Sequence, residues 1–396
     1  MKRVVRKKEA IRNNSSQYLM KSKERDDKDF ISLPVELIIE ILTKLPPRSL
    51  SKLICVSKLW SSIIQGKYFT DLYLTRSSTR PRLLFHRYCF DTRLSHYSSL
   101  ENPSFVHSIT LPGYQISPPV RGLICCRDHD SNAAIGNPST GQFLTLPKVE
   151  RSWLNGIFLG YDPVDDLYKV LSMIVVLQDK HGYQGQRCQV LTLGAQESWR
   201  TIECKYPYYA LTQGICQNGV IYYGACPDIG DRYVLVSFDL RLEEFSLITL
   251  PEGVHVSGYP PESDLVSYNG KIALANHSPS PKFDLWVLMD VNKQEWTQIS
   301  FVVPCWEDSE GNAKFRFNVL RWPWEDKMRC RGTISTGELI IEPRDNPYQF
   351  SLLYYNPKED KARRVDLERS GDRCIHRITF LDHIESPMFL PRKFIS

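Results

Sequence analysis

The chain has 396 residues, 42% of them hydrophobic and 24% charged, with a formal net charge of +5. That is the composition of a folded globular protein, and the length exceeds what one hydrophobic core usually holds, so two domains are expected. No run of about 18 apolar residues is present to span a bilayer as a helix, and the eleven cysteines show neither the C-x-x-C nor the Cys/His spacing of a zinc site.

The charge is concentrated at the start. Residues 1–30 hold ten Lys and Arg against five Asp and Glu, which leaves forty of each in the remainder. A stretch this polar cannot offset its ordering entropy, so residues 1–29 are expected to form a disordered basic tail. The opening MKRVVRKKEAIRNN lacks the apolar core of a signal peptide, which points to an intracellular protein of the nucleus, the cytoplasm or both. Lys2, Arg3, Arg6, Lys7 and Lys8 have the composition of a nuclear import signal or of a weak nucleic-acid contact, with a solubilising tail as the simpler account and no nucleic-acid partner expected.

Helical periodicity begins at residue 30. Pro34 suits a first turn, and Leu37, Ile38, Ile41, Leu42 and Leu45 then recur on one face. Pro46 and Pro47 end that helix, and a second helical run is predicted over Leu50–Ile64 with Ser49 as its cap. Val56, Leu59 and Trp60 lie off the face that carries Leu50, Ile54 and Ile64, so two helices this small leave them without cover and require a partner.

These residues carry a family resemblance. Leu33-Pro34, Leu37, Ile41-Leu42, Leu45-Pro46, Leu50, Val56 and Trp60 fall at the spacing of the F-box. The resemblance implies that residues 30–76 form a helical F-box domain docking on a Skp-family adaptor, and through it on a cullin. The adaptor-binding set it implies is Leu33, Pro34, Leu37, Ile41, Leu42, Leu45, Pro46, Leu50, Val56, Leu59 and Trp60.

A short helix is expected around Phe69 to Leu74, followed by a connector at 77–81. From Arg82 onward, short runs of Val, Ile, Leu, Tyr and Phe alternate with Asn-Gly, Asn-Pro and Asp-Pro turn signals, the texture of an antiparallel all-β fold. Four units open with a glycine turn: RGLICC at Arg121, NGVIYY at Asn218, NGKIAL at Asn269 and TGELII at Thr336. Asn137, Asp239, Asp290 and Asn356 follow those glycines by 15, 20, 20 and 19 residues, and Phe143, Phe245 and Trp296 come six residues later again, with Ala362 in the fourth unit. A fifth unit, GIFLGYDP with CQVLTLGAQESW, places Trp199 six residues after Leu193.

Each unit reads as a four-stranded sheet with positive φ at its turns and an aromatic packing between neighbouring sheets, which describes propeller blades. Arg82 to Leu111 supplies two further strands and Cys374 to Ile384 one or two more; sharing one blade would close a ring and remove its open edges. The expected fold is therefore an N-terminal helical F-box followed by an all-β, propeller-like domain of about six blades over 82–388, with a short tail at 389–396. An irregular pair of β-sandwiches is the competing architecture.

Arg121-Gly122-Leu123-Ile124-Cys125, Asn137-Pro138-Ser139-Thr140-Gly141 with Leu146-Pro147, and Leu159-Gly160-Tyr161-Asp162-Pro163 with Tyr168-Lys169-Val170 resemble the F-box associated interaction domain of plant F-box proteins, of the kelch-like propeller type. That resemblance implies a substrate-recognition subunit of a Skp, cullin and F-box (SCF) ubiquitin ligase, with an unnamed protein client. Alternatives are an adaptor-binding scaffold without a ligase role and a β-propeller enzyme.

Nothing in the residues supports catalysis, a cofactor, a metal, a nucleic-acid partner or a membrane. Histidines lack H-E-x-x-H spacing, no G-x-S-x-G or P-loop occurs, and Asp162, Asp165 and Asp166 sit in turn chemistry without the glycine and distal Glu of a calcium loop. Cys125 and Cys126 read as strand residues facing opposite sides. Tyr206, Tyr208 and Tyr209, with Trp322 and Trp324, fall in expected loops and are the candidates for client contact.

Overall fold

The computed structural model describes residues 33–88, 92–130, 132–148, 153–178, 182–196, 198–203, 208–227, 233–256, 263–276, 282–304, 329–342, 351–367 and 376–390. The basic tail, Tyr206, Trp322, Trp324 and Cys374 lie outside the described residues. The chain divides into two compact units, Met1–Lys44 and Leu45–Ser396, a division that falls within the 30–76 segment.

In the first unit, α1 spans Val35–Leu42. Pro34 has no N–H to lose and its carbonyl accepts from Leu37 and Ile38, while Glu36 places negative charge in the first turn.

In the second unit, the chain forms α2 (Pro47–Leu53), α3 (Lys58–Ile64) and α4 (Lys67–Ser77). The single run expected over Leu50–Ile64 is thus two helices, and the cap of the first is Pro46, not Ser49. The break comes at Ser57, whose backbone is extended and whose side chain accepts from the Leu59 N–H, starting α3 afresh. The short helix expected around Phe69 to Leu74 is longer on both sides, with Phe69, Tyr73 and Leu74 buried. Tyr73 Oη donates to Leu45 O at 2.9 Å, tying α4 back to the chain before α2.

Twenty-five strands form six antiparallel sheets among the described residues. Sheet 1 holds β1 (Arg82–Tyr88), β2 (Thr92–Tyr97) and β3 (Phe105–Thr110), so Arg82 to Leu111 supplies three strands where two were expected. Sheet 2 holds β4 (Gln115–Ile116), β5 (Ile124–Arg127), β6 (Ala133–Asn137) and β7 (Gln142–Thr145). Sheet 3 holds β8 (Trp153–Asp162), β9 (Leu167–Gln178), β10 (Gly182–Thr192) and β11 (Arg200–Ile202). Sheet 4 holds β12 (Tyr208–Ala210), β13 (Ile215–Gln217), β14 (Val220–Pro227), β15 (Val234–Asp239) and β16 (Glu244–Thr249). Sheet 5 runs through β17 (Ser263–Tyr268), β18 (Lys271–Asn276), β19 (Lys282–Asp290) and β20 (Glu295–Val302), and sheet 6 through β21 (Arg329–Thr333), β22 (Leu339–Glu342), β23 (Ser351–Asn356) and β24 (Lys361–Asp366). The last strand, β25 (His376–His383), pairs with β1, so the two ends of the domain share sheet 1 as expected.

Two turn designs repeat. Arg121-Gly122, Asn218-Gly219 and Asn269-Gly270 have both residues at positive φ, the conformation of a two-residue hairpin that Asn-Gly favours. At the other turn, the carboxylate or amide oxygen of Asn137, Asp162, Asp239, Asp290 or Asn356 accepts the N–H two residues on. Each of those turns ends in a residue at positive φ: Gly141, Asp166, Glu243, Gln294 or Asp360. The Asp162 cluster is therefore turn chemistry.

The core is a cycle of seams. Leu84, Leu94 and Phe380 of sheet 1 pack on Ile116, Ile124 and Cys126 of sheet 2. Cys125, on the opposite face of β5, packs with Ile157, Leu159 and Val170 of sheet 3. Further seams join sheets 3 and 4 through Phe158, Leu171 and Phe238, sheets 4 and 5 through Leu235 and Ile272, and sheets 5 and 6 through Phe283 and Leu353. Leu83, Phe85, Leu352 and Tyr354 then join sheet 6 to sheet 1, which closes a six-bladed ring. The repeat aromatics serve these seams: Trp199 Nε1 donates to Pro147 O at 2.8 Å and Trp296 Nε1 to Thr249 O at 2.9 Å.

After β25 the chain crosses from sheet 1 to sheet 2 as a strap over 384–390. Asn137 Nδ2 donates to Ser386 O at 3.0 Å and to Met388 O at 2.8 Å. Gly122 lies beneath it at φ +83, and a Cβ there would sit 2.5 Å from Ser386 Cβ, so only glycine admits the strap.

Candidate functional site

The helical residues predicted to hold an adaptor separate into exposed and buried sets. In the first unit Leu33, Leu37 and Ile41 are each about half exposed and Pro34 is exposed, whereas Leu42 is 1% exposed. In the second unit Val56 is 67% exposed, Leu59 and Pro46 are exposed, and Leu45 and Trp60 are intermediate. Leu50 is fully buried. Leu42 and Leu50 therefore contribute to packing, and each unit exposes the remaining residues of its own set to solvent in full or in part.

Three short helices in the second unit place this surface. The break at Ser57 turns Val56 and Leu59 outward, while Leu50 and Ile64 point into the helical core. Covering a large apolar side chain is worth about 1.5–3 kcal/mol, so Val56 and Leu59 left in water are an uncompensated cost that a docking partner would remove.

Helix α4 is tied to the ring by a charge network. Lys67 pairs with Asp166 in the β8–β9 turn and, at 3.2 Å, with Asp71 one turn along. Arg121, in the β4–β5 turn, reaches Asp71 at 3.3 Å and lies 4.3 Å over the ring of Tyr161, whose hydroxyl donates to Asp166. Partial burial works against both charges, but the hydrogen bonds outweigh it: Lys67 is held above its ordinary pKa and Asp166 below its own.

In the ring, Tyr208 and Tyr209 are the two aromatic candidates among the described residues. Tyr208 and Tyr209, expected in a loop, lie on β12 and pair with Pro227 and Cys226 of β14. Tyr208 packs against the seam between sheets 3 and 4. Periodicity missed this strand because it is three residues long.

Sequence reasoning also missed a cavity of about 130 Å³ lined by β4, β8, β12 and residues 211–214. No local pattern marks it, because its walls come from three sheets. No cysteine is among its lining residues; in β5, burial pushes the Cys125 thiol up to about 12 and Cys126 well above its ordinary value. Among the described residues no group of three or more His, Cys, Asp or Glu is arranged to hold a metal ion, and no helix is long and apolar enough to cross a membrane.

Comparison with known proteins agrees with this architecture. The F-box domain family matches residues 30–72, and the F-box associated beta propeller domain family matches residues 74–384. An F-box/kelch-repeat protein of Arabidopsis thaliana is 41% identical over 384 residues, covering 91% of this chain and 94% of that relative. The F-box protein DOR of the same plant is 37% identical over 394 residues, covering 91% and 94%. With both domain families matched in order and relatives aligned over nearly their whole length, the chain belongs to the plant F-box proteins that carry an F-box associated β-propeller domain.

Proposed function

We propose that this chain is the substrate-recognition subunit of an SCF-type ubiquitin ligase, in which its F-box docks on a Skp-family adaptor and its propeller holds a client for ubiquitination and degradation. Proteins that join an F-box to a propeller act generally as substrate adaptors in SCF complexes and are typically non-catalytic. The observation that carries the reading is the exposure of Leu33, Leu37 and Ile41 in the first unit and of Val56 and Leu59 in the second, each at an F-box position. In this reading Pro34 of the first unit and Leu45, Pro46 and Trp60 of the second are further docking positions, and the buried Leu42 and Leu50 serve packing.

The chain's own contribution is positional. Holding a client beside the charged ubiquitin carrier raises the effective concentration of its lysines, without any catalytic group in this subunit. The reading places the protein in the nucleus, the cytoplasm or both, where the ligase and its clients meet.

Pull-down of the full chain with a purified Skp-family adaptor tests it. The wild-type chain should bind, and Leu37→Asp and Val56→Asp should each reduce binding at least tenfold by placing a charge in an apolar contact. Both positions are exposed, so unfolding midpoints should stay unchanged. Failure of the wild-type chain to bind refutes the reading.

A further inference from the structure

The cavity lined by β4, β8 and β12 has a composition that selects its occupant. None of its twelve lining residues is ionisable, and Ile116, Phe158 and Ala210 supply apolar wall. A cavity of about 150 Å³ with apolar walls accommodates a benzene molecule, so about 130 Å³ admits one side chain of leucine or phenylalanine size. A charged or phosphorylated group would lose its hydration there without a counter-ion to compensate.

Two polar groups in the lining are available to orient a ligand. Ser117 Oγ is occupied, donating to Pro118 O at 3.1 Å and accepting from Cys125 N at 2.9 Å. Thr212 Oγ1 accepts from Gly224 N at 2.8 Å, which leaves its own hydrogen to give. Gln213 Nε2 donates to Ile116 O at 3.3 Å, which leaves its Oε1 to accept. One donor and one acceptor in an uncharged pocket of mixed polar and apolar wall match the backbone amide that flanks a peptide side chain.

The surrounding backbone favours an extended ligand. Among the described residues, the strand at the cavity in each of the three sheets, β4, β8 or β12, is an end strand with a neighbour on one side. Strand edges present N–H and C=O groups at the spacing of an added chain, and peptides use them as affinity while a pocket reads their side chains.

We propose that this cavity is a client-binding subsite that takes one uncharged side chain of leucine or phenylalanine size from an extended client segment, and that recognition at this point needs no phosphate. The proposal rests on the substrate-receptor reading for the identity of its occupant as a client, and on the cavity alone for the chemistry of the ligand.

Saturation-transfer NMR on the full chain tests it with three probes: N-acetyl-leucinamide, N-acetyl-phenylalaninamide and N-acetyl-phosphotyrosinamide. The first two should show transfer and the third should bind at least tenfold more weakly. Gln213→Trp and Ala210→Leu, which fill the space from the loop and from β12, should each abolish transfer while the thermal midpoint of the first stays unchanged. If Ala210→Leu unfolds the ring, Gln213→Trp still decides. Transfer equal in wild type and Gln213→Trp, preference for the phosphorylated probe, or no transfer from any probe overturns the proposal. Adaptor pull-down with the same chain separates the two readings: adaptor binding without probe binding refutes the subsite alone, and probe binding without adaptor binding refutes the ligase reading while the pocket chemistry stands.

Discussion

Replacing Asn137 with alanine would test how the end of the chain is fastened to the ring. Asn137 is fully buried, with Nδ2 donating to the carbonyls of Ser386 and Met388 and Oδ1 accepting from Ser139 N at 2.9 Å. Alanine strands two acceptors and one donor, and leaving a buried polar group without its partner costs about 1–3 kcal/mol. Water entering the vacated volume reduces that for the part-buried Met388 carbonyl, so the expected loss is about 3 kcal/mol in total. If the strap opens independently of the rest, the same energy corresponds to about hundredfold faster amide exchange over residues 386–390. Urea unfolding of the full chain followed by tryptophan fluorescence gives the first quantity, and hydrogen exchange by mass spectrometry gives the second. Asn137→Asp is the informative comparison: it keeps an oxygen for the Ser139 N–H but turns a carboxylate on two carbonyls, so at neutral pH it should be no more stable than alanine. An alanine variant within about 0.5 kcal/mol of wild type, with unchanged exchange at 386–390, would refute the claim that Asn137 is the clasp.

Stability should fall steeply in mild acid. His86, His96 and His383 are buried in or beside sheet 1, and each carries a ring nitrogen without a hydrogen-bond partner. Burial depresses His86 to about 4 and His383 to about 3, and holds His96 well below its ordinary value, with the neighbouring His107, Arg48 and Arg82 adding to the effect on His96. The native state keeps these rings neutral while the unfolded chain protonates them below about pH 6.5, so their contribution is complete above that value and shrinks as pH falls towards the folded pKa values. Each ring removes about 1.4 kcal/mol per pH unit in that window; a urea midpoint constant from pH 7 to pH 5 would contradict the assignment. Glu342→Ala should cost about 3–5 kcal/mol, because it leaves Arg331, pinned between Glu342 at 2.5 Å and Asp264 at 3.4 Å, as a buried charge short of compensation. Combining it with Arg331→Met should recover most of the loss in the same urea assay, whereas additive losses would mean the pair is not coupled.

The six sheets were legible because each hairpin is specified by adjacent residues. Arg121-Gly122 or Asn269-Gly270 needs positive φ at two consecutive positions, and Asn137 or Asp239 needs only the amides two and three residues on. Such signals survive in sequence because both partners lie within one window. The break between α2 and α3 did not: apolar periodicity runs through Val56 and Ser57, and only the competition between Ser57 as a helix interior residue and Ser57 as a cap decides it. β12 was lost for the opposite reason, being three residues long and carrying no alternation to count. The strap was invisible because Asn137 and its acceptors are separated by 249 and 251 positions, and no periodicity in the preceding strand, HRITFLDH, extends to residues that pair through a distant side chain.

The same distinction separates the two ends of the proposed function. The proposed adaptor-binding residues, Leu33 to Trp60, are close together in sequence, even though the burial of Leu42 and Leu50 has to be seen in the structure. The proposed client subsite draws Gln115, Phe158, Ala210 and Gln213 from three sheets and the loop beside them, each residue being ordinary where it stands. A ring of this kind can change its client by exchanging one wall residue at a time, since Gln213 or Ala210 can vary without disturbing the turns at Asn137, Asp162 or Asp239 that hold the sheets. Recognition of the ligase scaffold and recognition of the client are thus written in different ways in the chain, the first as a contiguous pattern and the second as a shape that exists only after the ring has closed.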